Sequence, residues 1–444
     1  MRSKKILFLI LSCLAYGLTV QAQHNKVPNA PLLTLKEAVE TALQNNYDIR
    51  LSRNTSTIAK NNVTVGNARM LPTVTGSFTQ SNSIQSTTQT RSDSTVNRIS
   101  NANNTGANYG VSLNWTIFDG FNMFATYDEF KQRDKLGQIR LQDTIQRTVA
   151  AVINNYYDLV NQQKQIEALR GVIDISRKQI RYATDRFEAG RVAKLEVYTA
   201  QVALNTDTTT LISQEQTYKA SKIELNRLLS RNPQTEFNVA DTIIVDDKLI
   251  LADVINQAQT QSPTILSASI NKRLSEINLK QIKATRYPQV SVNTGYQFSN
   301  SSNPAGFARV QNSRGLNYGL AATINIFDGF NQWRRERNAK LLIDNSQLNV
   351  EQTRLEVEAQ ISNLFSSYLS GLQLIKVGQS TVDLARKSLE ISLEKYRLGS
   401  ITPLEIREAQ RNYLNALGVF YNAQYQSKEA EVTLKQITGN INIQ

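Results

Sequence analysis

One hexapeptide, Ile-Phe-Asp-Gly-Phe-Asn, occurs twice in this chain, at residues 117–122 and again at 326–331. Each copy closes a run in which apolar and small polar residues alternate, the rhythm of a β-strand. Each also opens more than sixty residues that lack proline and keep a helical period. An Asp-Gly pair between such segments marks a turn where a strand gives way to a helix. The turns at Asp119-Gly120 and Asp328-Gly329 therefore set two halves of the chain in register. Phe118 and Phe327 lie 209 positions apart (327 − 118), as do Gly190 and Gly399, and Leu195 and Leu404. Upstream, Pro72 and Pro288 differ by 216 (288 − 72), as do Leu35 and Leu251. The first half thus holds seven more residues (216 − 209), placed in the loop between its two strands. Such self-similarity implies an internal duplication of helix, hairpin, helix and helix.

The start of the chain reads as a secretory signal peptide over residues 1–22. Arg2, Lys4 and Lys5 precede an apolar run over 6–20, and Val20-Gln21-Ala22 offers a small-residue cleavage site. Cys13 lies inside that run with hydrophobic residues still following it, which argues against a lipoprotein signal. Removing these residues lowers the formal net charge from +13 to +10 (13 − 3) and removes the only cysteine, while the only histidine, His24, lies next to the new terminus. A disulfide framework, a Cys/His metal site and a histidine-based triad are excluded. No cofactor and no enzymatic activity are expected. The excess lysines and arginines are scattered among acids along the helical segments, as on a solvated helical surface, so nucleic acid is not the expected partner. With 40% hydrophobic residues and a mean hydropathy of −0.37, the composition suits long helices with wet faces.

After an extended leader (23–33), the first repeat is expected over 34–230. It opens with a capping box at Thr34-Leu-Lys-Glu37 and a helix to about Met70, closed by Leu71-Pro72. A hairpin follows over 72–118, its strands separated by a polar loop at 84–105. A long helix spans 121–188, and a return helix 192–230. Ile145, Val149, Val152, Tyr156 and Leu159 keep 4-3 spacing, and Ile166, Leu169, Ile173, Ile180 and Phe187 resume it after a slip read as a stutter. Such heptads indicate a coiled coil, about 100 Å long at 1.5 Å per residue. A connector is expected over 231–250. The second repeat, 251–438, follows the same plan, with a helix over 251–284, a hairpin over 288–327 and a loop at 300–314. Its long helix spans 330–398, with Ile361, Phe365, Tyr368, Leu372 and Ile375 at heptad positions, and its return helix spans 402–438. A short tail, 439–444, ends the chain.

All four strands carry apolar and aromatic residues on one face, small polar residues on the other and no charge in their cores. On the first, Val74, Gly76 and Phe78 share a side. On the second, Tyr109, Val111, Leu113, Trp115 and Ile117 do. That is the pattern of a transmembrane β-strand. Four strands cannot span a bilayer as an open sheet, because every backbone polar group in lipid must be paired, and barrels begin at about eight strands. Several copies must therefore pool their strands. The expected fold is mostly α with β, with a shared β-barrel in the outer membrane continuous with a coiled-coil tube reaching into the periplasm.

At this point the chain resembles the TolC family of outer-membrane efflux proteins, over nearly all of its mature length. The resemblance rests on the Phe-Asp-Gly turns, the Pro-terminated helices before each hairpin, and two tip motifs. The tips are Arg186-Phe187-Glu188-Ala189-Gly190-Arg191 and the six residues after them, and Tyr396-Arg397-Leu398-Gly399-Ser400-Ile401 and the five after them. The resemblance implies a homotrimer with a twelve-stranded barrel in outer-membrane lipid of a Gram-negative cell. It implies a passive exit duct for drugs, metals or secreted proteins, working with a periplasmic adaptor and an inner-membrane pump of the RND, ABC or MFS type. It also implies that the tip turns Gly190-Arg191 and Gly399-Ser400 face the adaptor. On the same footing, Glu405 and Glu408, three apart on one helix face, correspond to the acids that narrow the periplasmic mouth. Tyr396 and Glu196 match residues that help hold it shut, and the basic residue usual shortly after the second glycine is Ile401 here.

Three other readings fit less of the chain. A periplasmic adaptor has a coiled-coil hairpin but no strands with lipid-facing aromatic stripes. An exported structural stalk explains neither hairpins nor duplication, and no convergent polar set suggests an enzyme.

Overall fold

The structure, a computed structural model, describes residues 30–240, 242–304, 306 and 308–441. The signal peptide, most of the leader and the end of the tail lie outside the described residues. In order, the elements are β1 (Leu32–Leu33), α1 (Leu35–Asn45), α2 (Tyr47–Asn61), β2 (Thr73–Thr90), β3 (Val96–Asp119), α3 (Asn122–Glu188), α4 (Lys194–Leu228), β4 (Asn238–Val239), α5 (Leu251–Gln261), α6 (Pro263–Ala284), β5 (Gln289–Ser302), β6 (Val310–Thr323), α7 (Asn331–Leu398) and α8 (Pro403–Ile437). The duplication is plain in this order. Above the middle of the molecule the helices pack side by side as α2-α3-α6-α7, and below it as α4-α3-α8-α7. Helices α3 and α7, of 67 and 68 residues, run through both tiers and are each about 100 Å long.

The single helices expected at 34–70 and 251–284 are each broken in two. Asn46 ends α1 and caps α2, its Oδ1 accepting from the amides of Asp48 (2.9 Å) and Ile49 (3.2 Å), while its Nδ2 donates to the carbonyl of Leu228 at 2.8 Å. At the corresponding place in the second repeat, Pro263 follows Ser262 and starts α6 at a position where a missing amide costs nothing. Helix α2 stops at Asn61, short of Met70, and turns lead on to Pro72. The capping box at Thr34 is present, with both reciprocal bonds to Glu37. Along α3 the buried residues Val152, Leu159, Ile166 and Ile173 recur every seven positions without interruption. Their buried companions change from Val149 and Tyr156, three positions before, to Leu169 and Ser176, three positions after, which is the slip expected from the sequence.

The largest difference lies in the hairpins. The polar stretch at 84–105 is not a loop: β2 and β3 extend through it, pairing as far as Thr90 with Val96. Likewise β5 and β6 stay paired to Ser302 and Val310. Serine, threonine and asparagine can pair in a ladder, and apart from Ala102, which is buried, the stretch is too exposed to require hydrophobic alternation. Strand β6 ends at Thr323, so Ile324 and Ile326 lie beyond it.

The four strands form one antiparallel sheet in the order β2-β3-β5-β6. Its rungs are one-sided. Phe78, Tyr109, Phe298 and Arg314 form one; Gly76, Val111, Tyr296 and Leu316 the next; Val74, Leu113, Thr294 and Tyr318 the third. The rings of Tyr109 and Phe298 stack at 4.9 Å. Rungs on the other face are small or polar, such as Ser77, Gly110, Gln297 and Gly315. A bulge between Thr116 and Phe118 skips Ile117, so Phe118 and not Ile117 lies opposite Val290. The apolar face runs nine positions from Val290 to Phe298, the length a tilted strand needs to cross a bilayer. Among the described residues nothing covers it: Tyr318 is 82% exposed.

The core sits at the middle. Val149, Val152, Tyr156 and Leu159 of α3 pack with α1 and with the end of α4. Tyr156 donates its hydroxyl to the carbonyl of Leu33 and accepts from the amide of Ala240, both at 2.9 Å, so one side chain ties leader and connector to the long helix. In the second repeat Ile361 and Tyr368 of α7 pack with α5 and α8.

Candidate functional site

The lower ends of the helices form two hairpins. Helix α3 ends on Gly190 (φ +68°) and α7 on Gly399 (φ +77°), a left-handed conformation that glycine adopts without strain. In both, the next amide reaches back five residues, Arg191 to the carbonyl of Arg186 and Ser400 to that of Lys395, each at 2.9 Å, so these carbonyls near the end of each long helix are satisfied. Leu195 and Leu404, at the starts of the return helices, are 71% and 77% exposed.

Three side chains tie the two hairpins together. The carboxylate of Glu196, on α4, is ion-paired with Arg186 at the end of α3 and accepts from the hydroxyl of Tyr396, on α7, at 3.0 Å. The guanidinium of Arg186 lies 4.4 Å from the centre of the Tyr396 ring. Tyr396 is buried, as are most of the two charged side chains. Burial, and then the hydrogen bond to Glu196, push the Tyr396 phenol up to about 12. Glu196 and Tyr396, singled out in the sequence, are therefore in direct contact. Arg186 was not singled out for a role, although it belongs to the first tip motif. No spacing could have placed it beside a residue 210 positions away (396 − 186).

A second polar cluster lies further up. Asp207 of α4 is 4% exposed and ion-paired with Arg407 of α8 at 2.7 Å. The hydroxyl of Ser176, on α3, donates to Asp207 at 2.7 Å and accepts from the amide of buried Gln410 at 3.4 Å. None of these four residues stood out in the sequence, because a buried aspartate and a surface one look alike there.

Glu405 and Glu408 are both exposed on α8. Glu405 also serves the fold: its carboxylate accepts from the amide (2.7 Å) and hydroxyl (2.9 Å) of Thr402, whose own oxygen takes the Glu405 amide. The backbone bond from Thr402, before all else, holds the Glu405 carboxyl below its usual range.

At the other end of the long helices, Gly120 and Phe121 both adopt left-handed conformations (φ +70° and +69°), as do Gly329 and Phe330 (+67° and +63°). Asp119 accepts from the amide of Met123 at 3.1 Å, and Asp328 is ion-paired with Arg335 at 3.3 Å. The surroundings of the two glycines differ. A Cβ on Gly120 would stand 2.2 Å from the carbonyl oxygen of Ala284, whereas one on Gly329 would meet only the Asn331 side chain, at 3.8 Å.

The one-sided four-stranded sheet and the long paired helices together define the protomer of a membrane-anchored channel. The chain belongs to the outer membrane efflux protein family, whose sequence model matches residues 38–231 and 254–440, one match to each repeat. It is 22% identical over 416 residues to the outer membrane efflux protein BepC of Brucella suis, covering 92% of this chain and 86% of that protein. It superposes on the outer-membrane channel OprN with a TM-score of 0.76 at 18% identity, covering 91% of this chain and 90% of that one. The CmeC outer membrane channel of Campylobacter jejuni gives 0.76 at 19%, over 91% and 85%. The protein is accordingly an efflux channel of a Gram-negative outer membrane, with its helices in the periplasm.

Proposed function

We propose that three copies close one twelve-stranded barrel and form a passive exit duct, fed by an inner-membrane pump of the RND, ABC or MFS type through a periplasmic adaptor. The observation that carries this reading is the unequal state of two equivalent glycines. Gly120 is packed beneath the end of α6, which the second repeat supplies. Gly329 has no such neighbour among the described residues of its own chain, and the segment corresponding to the end of α6 is the one around Ala68, on the far side of the sheet. The edge strands β2 and β6 are likewise paired on one side only. Joining β6 of one copy to β2 of the next supplies both missing partners, and three copies give the twelve strands. The signal-cleaved chain extracted in detergent is therefore expected to contain three copies per particle by light scattering; a detergent-independent monomer overturns the proposal.

The tip turns Gly190-Arg191 and Gly399-Ser400, flanked by exposed Leu195 and Leu404, suit capture by the adaptor's own hairpin, as helix tips ending in apolar side chains suit a coiled-coil partner. Arg186, Glu196 and Tyr396 hold the mouth closed, and Glu405 and Glu408 line it, giving six carboxylates in a ring of three chains. Their combined field favours cations. Glu408→Gln channels are expected to lose most of their cation preference in planar bilayers at low salt, where screening is weakest. Glu408 is the residue to change first, because a Glu405 substitution also breaks the reciprocal half of the capping box on α8. An unaltered reversal potential removes Glu408 from the ring.

A further inference from the structure

Just below the sheet, the outer surface carries aromatic side chains in series, and the two repeats continue that series differently. In the first repeat Phe118 lies on the apolar face, opposite Val290, and its ring meets Phe121 edge-on at 5.2 Å, which in turn lies 6.3 Å from Phe124. The series therefore continues the lipid-facing side of the barrel onto α3. In the second repeat Phe327 meets Phe330 edge-on at 5.4 Å, and Trp333 takes the place of Phe124. Phe124 remains 55% exposed although α3 has helices on both flanks. By the same geometry Trp333 stays open when a neighbouring copy flanks α7.

Below these rings the charges diverge. On α3, Lys131 is paired with Asp128 at 3.8 Å and lies over the Tyr127 ring, a locally neutral arrangement. On α7, Arg334, Arg337 and Lys340 are all exposed, and none is ion-paired with an acid among the described residues. Arg337 sits 5.3 Å from the Trp333 ring, and Arg334 reaches only the side-chain oxygen of Asn331, at 3.3 Å. The nearby acids are engaged elsewhere: Asp328 with Arg335, and buried Glu336 with Arg286. The next acid on this side is Asp344, one turn beyond Lys340. Trp333, Arg337 and Lys340 stand at i, i+4 and i+7 and so share a face. At 1.5 Å per residue, Arg337 lies about 6 Å and Lys340 about 10 Å beyond the tryptophan. A bilayer's polar layer is some 5–8 Å deep on each side. Aromatic rings at the hydrocarbon boundary with cations one to two turns beyond match the order in which a lipid presents its chains and its phosphate.

We propose that Phe330, Trp333, Arg334, Arg337 and Lys340 form a binding surface, once per protomer, for anionic phospholipid headgroups of the periplasmic leaflet. The proposal rests on the membrane reading and adds to it a lipid class and a place. The test is reconstitution of the assembled channel into nanodiscs of phosphatidylethanolamine with a one-fifth share of phosphatidylglycerol, followed by native mass spectrometry of the lipids retained. Wild-type channels are expected to retain phosphatidylglycerol over phosphatidylethanolamine. The triple variant R334Q/R337Q/K340Q is expected to lower that ratio on the order of tenfold to a hundredfold, since each basic residue contributes about fivefold at an anionic surface. Lys131→Gln, in the first repeat, is expected to leave it unchanged. Equal retention of both lipids by the wild type, or an unchanged ratio in a triple variant that still assembles, overturns the proposal. If the triple variant does not assemble, Arg337→Gln alone gives the same reading with a smaller drop expected. Failure of the wild type to enter nanodiscs at all would instead count against the membrane reading.

Discussion

Gly329→Asn chains are expected to keep wild-type helix content yet lose trimers by at least tenfold. Asparagine tolerates the left-handed conformation better than any other residue with a side chain, and within one chain a Cβ there meets nothing closer than 3.8 Å. The substitution should therefore be mild until a second copy approaches. If that copy packs against Gly329 as Ala284 packs against Gly120, the added side chain falls where backbone must come. Gly120→Asn is expected to be worse and of a different kind, because the clash lies inside the chain, at 2.2 Å from a carbonyl oxygen and 2.9 Å from Tyr287. It should lower the stability of the protomer itself by several kcal/mol, in the range of severe overpacking. Gly190→Asn, at a left-handed turn where an added Cβ meets nothing within 4 Å, is the control and should assemble normally. Light scattering and circular dichroism on the three variants separate these outcomes. Wild-type assembly by Gly329→Asn would show that copies do not meet in this register.

Arg186→Ala is expected to open the mouth. The variant leaves the Glu196 carboxylate, only 14% exposed, with the Tyr396 hydroxyl as its remaining partner. Breaking a buried ion pair from one side typically costs about 3–5 kcal/mol. The open form relieves that cost by letting Glu196 reach water, so single-channel conductance in planar bilayers should rise severalfold. Tyr396→Phe removes one hydrogen bond to a charged group, about 1.5–3 kcal/mol, and should give a smaller rise. The phenol also makes the closure sensitive to alkali. Burial and the neighbouring carboxylate raise it from an ordinary 10 to about 12. A group raised on closure contributes fully below its free value and loses that contribution as pH climbs through the raised one. Wild-type conductance should therefore be flat up to about pH 10 and increase between about 10 and 12, whereas Tyr396→Phe lacks that step. A conductance unchanged by Arg186→Ala would show that this contact does not govern the mouth.

How much of this was legible in the sequence depends on range. The duplication, the two long helices and the strand-to-helix turns rest on period and offset, which a single sequence displays directly. Breaks at Asn46 and Ser262 were missed because one polar residue hardly disturbs a 3.6-residue period, although Pro263 stood there as a signal. The outer half of the first hairpin was missed for a different reason. Apart from buried Ala102, residues 84–105 are largely exposed on both faces, so little selects the alternation that marks a half-buried strand. At the mouth, Glu196 and Tyr396 came from motif resemblance. Arg186, Asp207 and Arg407 become partners only once two hairpins are folded against each other, and no local pattern encodes that.

The unequal hairpins bear on how the cell surface looks from outside. Strands β2 and β3 run 18 and 24 residues, whereas β5 and β6 run 14 each. In a closed ring of three, tall and short turrets alternate around the rim, so a wall with nearly sixfold repetition presents a threefold crown. The tall turrets are built of serine, threonine and asparagine, with Arg91 and Asp93 at the tip. An antibody or a phage arriving from the medium would meet these three polar spires before anything else, and sequence drift there leaves the duct beneath untouched.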